Sequence, residues 1–231
     1  MARACEIFPA AARLFAAEIR EVDVDPAGEE VLEVPCALPV AEQDEGVRHE
    51  FHSARWIVSS AVTELHVVTL CTGNAARSVM AGAILREHVP GLRVTTSGTH
   101  VIEGMPMSWR TRDAITSLGL QVPDHRSRQA TTQELDNADL VIALAREHVM
   151  WMRRVHPTAA PRTATLKRLA RDLPPSDAGP LFERLARMRV HELQLESWED
   201  VVDPAGGDLD VFVDCAREIA DLLHVVMPRL A

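Results

Sequence analysis

Apolar and polar positions divide this chain near residue 64. Before that point only the first stretch has a helical rhythm, with Phe8, Leu14, Phe15 and Ile19 partly sharing one face. Residues from about Glu18 to Glu50 are acid-rich and carry Pro26, Pro35 and Pro39. They predict a loosely packed arm with one brief strand over Glu30–Val34. Phe51–Val62 turns apolar again through Phe51, Trp56, Ile57 and Val58, and is expected to dock on the larger domain after it. Residues 1–63 are therefore read as an N-terminal extension without an assigned function, and 64–231 as the main domain.

From Leu65 onward, short apolar runs alternate with helical stretches. His66–Leu70, Leu92–Thr96, Leu140–Leu144 and Arg162–Leu166 read as strands. Ser78–His88, with Val79, Met80, Ala83 and Ile84 inward, reads as a helix, as do Trp109–Leu118 and Arg146–Val155. A final helix over Asp210–Val226 puts Val211, Cys215, Ile219, Leu222 and Val226 on one stripe, which makes Cys215 a core thiol. Trp109 is likewise expected in a helix core. Such alternation predicts an α/β domain, a doubly wound parallel sheet with helices on both faces. Ligands of these sheets bind at the carboxyl ends of strands.

Composition narrows the partners. A hydrophobic fraction of 47% and a charged fraction of 25% exclude wholesale disorder. Lys+Arg 24 against Asp+Glu 34 gives a net charge of −10, which argues against a nucleic-acid backbone or an anionic membrane surface as partner. No apolar run approaches the ~20 residues of a membrane span. The first residues look superficially like a secretion signal, but Arg13, Glu18, Arg20 and Glu21 interrupt them. Cys5, Cys36, Cys71 and Cys215 are far apart and lack a zinc-ligand cadence. The reading is a cytoplasmic protein with reduced thiols, no metal and no cofactor.

Directly after the first strand comes Cys71-Thr72-Gly73-Asn74-Ala75-Ala76-Arg77-Ser78, and then a helix. Gly73 and Asn74 can take positive φ, which folds successive N–H groups toward one point. The helix start adds unsatisfied N–H groups and the positive end of its dipole. The product is a cradle for phosphate or a similar oxyanion. On its floor the same donors favour the thiolate of Cys71, the nucleophilic form. Arg77 can hold two phosphoryl oxygens with its planar fork. Thiolate chemistry at phosphorus also needs an acid for the leaving group and a base for water. Asp203, before Pro204 in an exposed Gly-rich turn, is the candidate, with Asp200 and Asp208 as competitors.

Residues from about Leu65 to Leu223 resemble the low-molecular-weight protein tyrosine phosphatases, a family related to one class of arsenate reductases. The eight-residue loop matches the pattern C-x-G-N-x-x-R-S. Val94-Thr95-Thr96-Ser97-Gly98-Thr99, His125-Arg126-Ser127-Arg128-Gln129 and Asp203-Pro204 match three further motifs in the family's order. The resemblance implies a four-stranded parallel sheet and a phosphocysteine formed on Cys71. Arg77 and the loop residues Thr72, Gly73, Asn74, Ala75, Ala76 and Ser78 would bind phosphate, and Asp203 would serve as general acid. Thr96 and His125 would join Asn74 and Ser78 in a polar network that supports the loop.

The departures are specific. Ala76 stands where many members have a second loop cysteine, which removes a protecting disulfide, and Val79 replaces the usual proline. Ala145 stands in place of a common aspartate. Ala205-Gly206-Gly207 replaces aromatic residues after the aspartate–proline pair, and the loop His100–Glu103 lacks its pocket-wall aromatic. Phosphate chemistry is retained while the grip on a tyrosine ring is weakened. The expected activity is hydrolysis of phosphomonoesters, on phosphotyrosine in proteins or on a small ester. The alternatives are arsenate reduction with an external low-molecular thiol, and a non-catalytic phospho-ligand binding module.

Overall fold

The structure, a computed structural model, describes residues 65–230. The expectations for the amphipathic start, the acid-rich arm, the strand Glu30–Val34 and the apolar segment Phe51–Val62 lie outside the described residues. Four parallel strands, β1 (His66–Cys71), β2 (Arg93–Gly98), β3 (Leu140–Ala143) and β4 (Thr163–Thr165), form one sheet in the order β2-β1-β3-β4. Seven α-helices accompany them among the described residues: α1 (Arg77–His88), α2 (Trp109–Ser117), α3 (Thr132–Asp136), α4 (Arg146–Val155), α5 (Leu166–Asp172), α6 (Leu181–Met188) and α7 (Leu209–Val226).

Strand alternation sorts the side chains into two cores. Val67, Cys71, Leu140, Ile142 and Leu144 join α1, α2, α5, α6 and α7 on one face. Val68, Leu70 and Val141 join Leu135 of α3 and Trp151 and Met152 of α4 on the other. The sheet is thus buried on both sides, as its near-continuous apolar strands require. None of the helices among the described residues is long and apolar enough to cross a membrane.

Helix boundaries obey local chemistry. Ser108 caps α2 by accepting from Thr111 N at 3.2 Å, and Gly119, at φ 76, comes just after its end. Pro90 and Gly91 close off α1. The sequence pattern misses α3, α5 and α6, which have only five, seven and eight residues. Two of them carry a readable start, because the hydroxyls of Thr131 and Thr165 accept from Glu134 N and Arg168 N. The tail of the predicted fourth strand is in fact the first residue of α5.

Two core assignments are corrected. In α7 the buried stripe is Phe212, Cys215, Ala216, Ile219, Leu223 and Val226, while Val211 is 43% exposed and Leu222 half-buried. Cys215, Ile219 and Val226 are buried as expected, while Val211 lies over Gly207 in the preceding turn, where a Cβ would come within 2.9 Å of it. Trp109 is 57% exposed with the Arg110 guanidinium 5.0 Å over its ring. It opens α2, whose inward positions are Thr111, Ala114 and Ile115.

A buried ion pair fixes the segment that leads to Asp203. Glu199 is 1% exposed and accepts from Arg168 at 2.5 and 3.1 Å and from Thr165 Oγ1 at 2.8 Å. Without Glu199 the buried Arg168 keeps only the more exposed Asp172 and Glu196, at 3.3 and 3.6 Å, so much of its charge is left uncompensated. Glu199→Ala is therefore expected to destabilise the fold by about 3 kcal/mol. A urea titration monitored by circular dichroism would register this as a lower midpoint with an unchanged slope.

Candidate active site

Cys71 closes β1 at its carboxyl end and is 3% exposed. Its Sγ lies 3.0 Å from Ser78 Oγ, which in turn accepts from Asn74 Nδ2 at 3.0 Å. With that acceptor position filled, the serine proton is free to point at sulfur. Asn74 is the pivot of the loop, completely buried and at φ 50. Gly73, expected to share the positive φ, does not have it. A Cβ there would meet no atom within 4 Å, so glycine instead leaves the loop open on its outer side. Among the described residues, no main-chain N–H from Gly73 to Ala76 donates to a protein acceptor. The start of α1 has neither a capping side chain nor an acidic residue in its first turn. Those donors remain available for an anion.

Segments distant in sequence brace this loop. The Asn74 carbonyl accepts from His125 Nε2 at 2.7 Å and Ser127 Oγ at 2.8 Å, and Asn74 Oδ1 accepts from Arg128 N at 3.0 Å. Burial lowers the pKa of His125, so the ring is neutral near pH 7 and its Nε2 carries the proton donated here. Thr111 Oγ1 donates to the Ala75 carbonyl at 3.1 Å. Gly98, at the end of β2, permits the closest approach: a Cβ there would lie 2.6 Å from the Thr72 carbonyl oxygen and 3.0 Å from Asn74 N. Thr96 stands apart from this network. It pairs with Thr69 in the sheet and turns its methyl toward α1 at Gly82, with no hydrogen bond to the loop.

Arg77 is 4% exposed and reaches across to the segment before α7. It donates to the Val201 carbonyl at 3.2 Å and meets Asp203 Oδ2 at 2.5 Å. The other Asp203 oxygen accepts from Ala205 N at 3.0 Å. Of the competing carboxylates, Asp200 is otherwise engaged. Asp200 accepts from Arg146 N at 2.7 Å and from its guanidinium at 2.9 to 3.2 Å. Burial alone would raise the pKa of Asp200, but these bonds hold it below the ordinary carboxylate value. Asp208 occupies the start of α7. Cys215 donates to the Val202 carbonyl at 3.6 Å, and burial raises its pKa to about 12, so it stays a thiol. No group of three or more His, Cys, Asp or Glu among the described residues is arranged to hold a metal.

A cleft of about 530 Å³ opens beside the Arg77–Asp203 pair. It is lined by Ala145, Met150, Leu195, Val201 and Val202 together with Arg146, Glu147 and Asp200, and none of its lining residues is aromatic. Sequence reasoning missed Glu147 and His148, although Arg146-Glu147-His148 comes directly after β3 at a carboxyl end. Thr72 Oγ1 donates to Glu147 Oε1 at 2.9 Å and lies 3.0 Å from His148 Nε2.

The sequence comparisons agree with this geometry. The family model described as Low molecular weight phosphotyrosine protein phosphatase matches residues 66–177. A low molecular weight protein-tyrosine-phosphatase of Streptomyces coelicolor is 33% identical over 162 residues, which cover 66% of this chain and 85% of that protein. The Escherichia coli phosphatase Etp is 28% identical over 97 residues, 42% of this chain and 66% of Etp, a little under two thirds of its length. The solved YwlE arginine phosphatase from Geobacillus stearothermophilus superposes with a TM-score of 0.57 at 25% identity, covering 70% of this chain and 90% of that one. The chain belongs to the low molecular weight protein-tyrosine-phosphatase family.

His148 gives the site a pH signature. Its side chain is 1% exposed, and burial, reinforced by the charge of Arg77, lowers its pKa to about 3. The unfolded chain binds that proton near pH 6.5, so stability is complete above that pH and declines as pH falls toward 3. Between pH 7 and 5, urea midpoints should drop, with a slope approaching about 1.4 kcal/mol per pH unit from this ring. In His148→Gln the decline should be visibly shallower over the same range.

Proposed function

We propose that this chain is a phosphatase acting on phosphorylated protein through a phosphocysteine on Cys71. In the first step the Cys71 thiolate attacks phosphorus, an S–P bond forms and the bond to the leaving group breaks. Arg77 and the loop N–H groups bind the phosphoryl oxygens, and Asp203 gives its proton to the leaving atom. In the second step the Asp203 carboxylate takes a proton from water, which attacks phosphorus. The S–P bond breaks, releasing phosphate and the thiolate. One observation carries this reading: the Cys71 sulfur lies in hydrogen-bond contact with Ser78 Oγ, in a loop whose N–H groups from Gly73 to Ala76 are unpaired and whose Arg77 meets Asp203.

The chemistry needs a reduced Cys71, a state that the cytoplasm maintains. Residues 64–231 form the catalytic unit on this reading, and residues 1–63 an extension outside the chemistry. Phosphotyrosine is the substrate to which most of the relatives' names point. A second reading is phosphoarginine. It is favoured by the absence of aromatic residues from the cleft and by the name of the Geobacillus relative.

Cys71→Ser should abolish release of phosphate from an aryl phosphate, with the circular dichroism spectrum preserved. Turnover at the wild-type rate would refute the mechanism. Asp203→Asn should slow esters of poor leaving groups by about 100-fold or more and activated aryl esters much less, because good leaving groups need little protonation. Equal losses across a leaving-group series would remove Asp203 from the role of acid.

A further inference from the structure

The cleft contains a carboxylate that the reaction scheme does not use. Glu147, in the first turn of α4, has a side chain 60% exposed and lines the cleft together with Arg77 and Asp203. Its orientation is set by Thr72, the residue next to the nucleophile. A carboxylate can only accept, so the single proton of the Thr72 hydroxyl goes to Glu147 Oε1. His148 Nε2, 3.0 Å from that hydroxyl oxygen and 3.3 Å from Glu147 Oε1, is then the protonated ring nitrogen. The His148 ring is neutral near pH 7, so it contributes a dipole and no charge.

Glu147 therefore lacks a cationic partner. Among the described residues no lysine or arginine pairs with it, since Arg77 is engaged by Asp203 and Arg146 by Asp200. Counting side chains, the cleft holds two positive charges, Arg77 and Arg146, and three negative ones, Glu147, Asp200 and Asp203. A site built only for a phosphoryl dianion on a neutral group gains nothing from an unneutralised carboxylate at its rim. A site whose substrate brings its own positive charge does.

We infer that Glu147 determines specificity by pairing with a cation on the leaving group, which selects a phosphoryl group carried on a guanidine with an aliphatic stem over one carried on an aromatic ring. The inference rests on the phosphatase function and deepens its second reading. With such a substrate the P–N bond breaks as the S–P bond to Cys71 forms. The electron pair of the P–N bond stays on nitrogen, which takes the proton of Asp203 and leaves as part of a guanidinium. Positive charge is thus retained on the leaving group through the transition state, where a fixed carboxylate stabilises it. An aryl ester instead develops negative charge on its departing oxygen, which Glu147 opposes. The aliphatic walls Ala145, Met150, Leu195, Val201 and Val202 suit a methylene stem.

Glu147→Gln keeps an oxygen that accepts from Thr72 and removes only the charge. The test compares kcat/KM of wild type and variant on a phosphoarginine peptide and on a phosphotyrosine peptide with the same flanking sequence. The ratio of the two, arginine over tyrosine, should fall about tenfold or more, the scale of one charge pair in a half-shielded cleft. Glu147→Asp, which restores the charge, should recover part of it. A ratio within a factor of two of wild type would reduce Glu147 to a structural support of Thr72 and overturn the inference. Wild-type hydrolysis of the phosphotyrosine peptide alone would also overturn it, while leaving the phosphatase function standing. Hydrolysis of neither peptide, with no phosphocysteine trapped on Cys71, would end both.

Discussion

A loop that keeps its N–H groups unpaired is unstable on its own terms, because each is a donor denied a partner in the folded protein. The rest of this structure depends on holding such a loop in place. Asn74 does most of the holding. It adopts a left-handed backbone, buries its side chain between Ser78 and Arg128 N, and offers its carbonyl to His125 and Ser127. Each of these bonds uses the loop's acceptors or side chains and leaves the N–H groups of Gly73 to Ala76 available. The binding capacity for an anion is therefore maintained by interactions made on the other side of the same residues.

This explains why separated sequence motifs belong to one device. β1 delivers Cys71 to the carboxyl end of the sheet, the end of β2 contributes Gly98 as a gap through which the loop can pass, and the segment His125–Gln129 crosses behind it. The fourth motif arrives from the far side of β3. The Val201 N–H bonds to the Leu144 carbonyl at 2.9 Å, and the Arg168–Glu199 pair anchors the chain just before it. Asp203 is thus aimed by a buried ion pair and a strand-end hydrogen bond, while its own carboxylate stays 48% exposed.

How much of this is legible in the sequence depends on the range of the forces involved. Strands β1 and β3 and helices α1 and α4 are legible because burial on a sheet imposes long apolar runs, and a long helix repeats its stripe. The loop is legible because Cys71, Asn74, Arg77 and Ser78 act within eight residues. The short helices α3, α5 and α6 repeat too few turns to show a period. Trp109 and Val211 mislead because local spacing does not reveal which side of a helix the neighbouring loops cover. Glu147 and His148 are hidden for a different reason. Their partner, Thr72, is more than seventy residues away, and only the adjacency of β1 and β3 brings them together.

On the proposed mechanism the Arg77–Asp203 contact links binding to proton transfer. Without substrate, the guanidinium that would grip the phosphoryl oxygens holds the carboxylate that would act as acid. A phosphoryl dianion presents two oxygens to the guanidinium fork where Asp203 offers one, so it is the stronger ligand of the two. On the proposed mechanism its arrival would displace Asp203 from Arg77 without expelling it from the site. The Ala205 N–H still holds one carboxylate oxygen, and the backbone at Val201 remains fixed by Arg77 and Leu144. On that scheme the carboxylate, released from its cation, would be free to turn toward the leaving atom. That is the position required of a group that must donate to a leaving atom. On the proposed mechanism the exchange of partners on Arg77 would therefore free Asp203 only when a phosphoryl group has entered the loop.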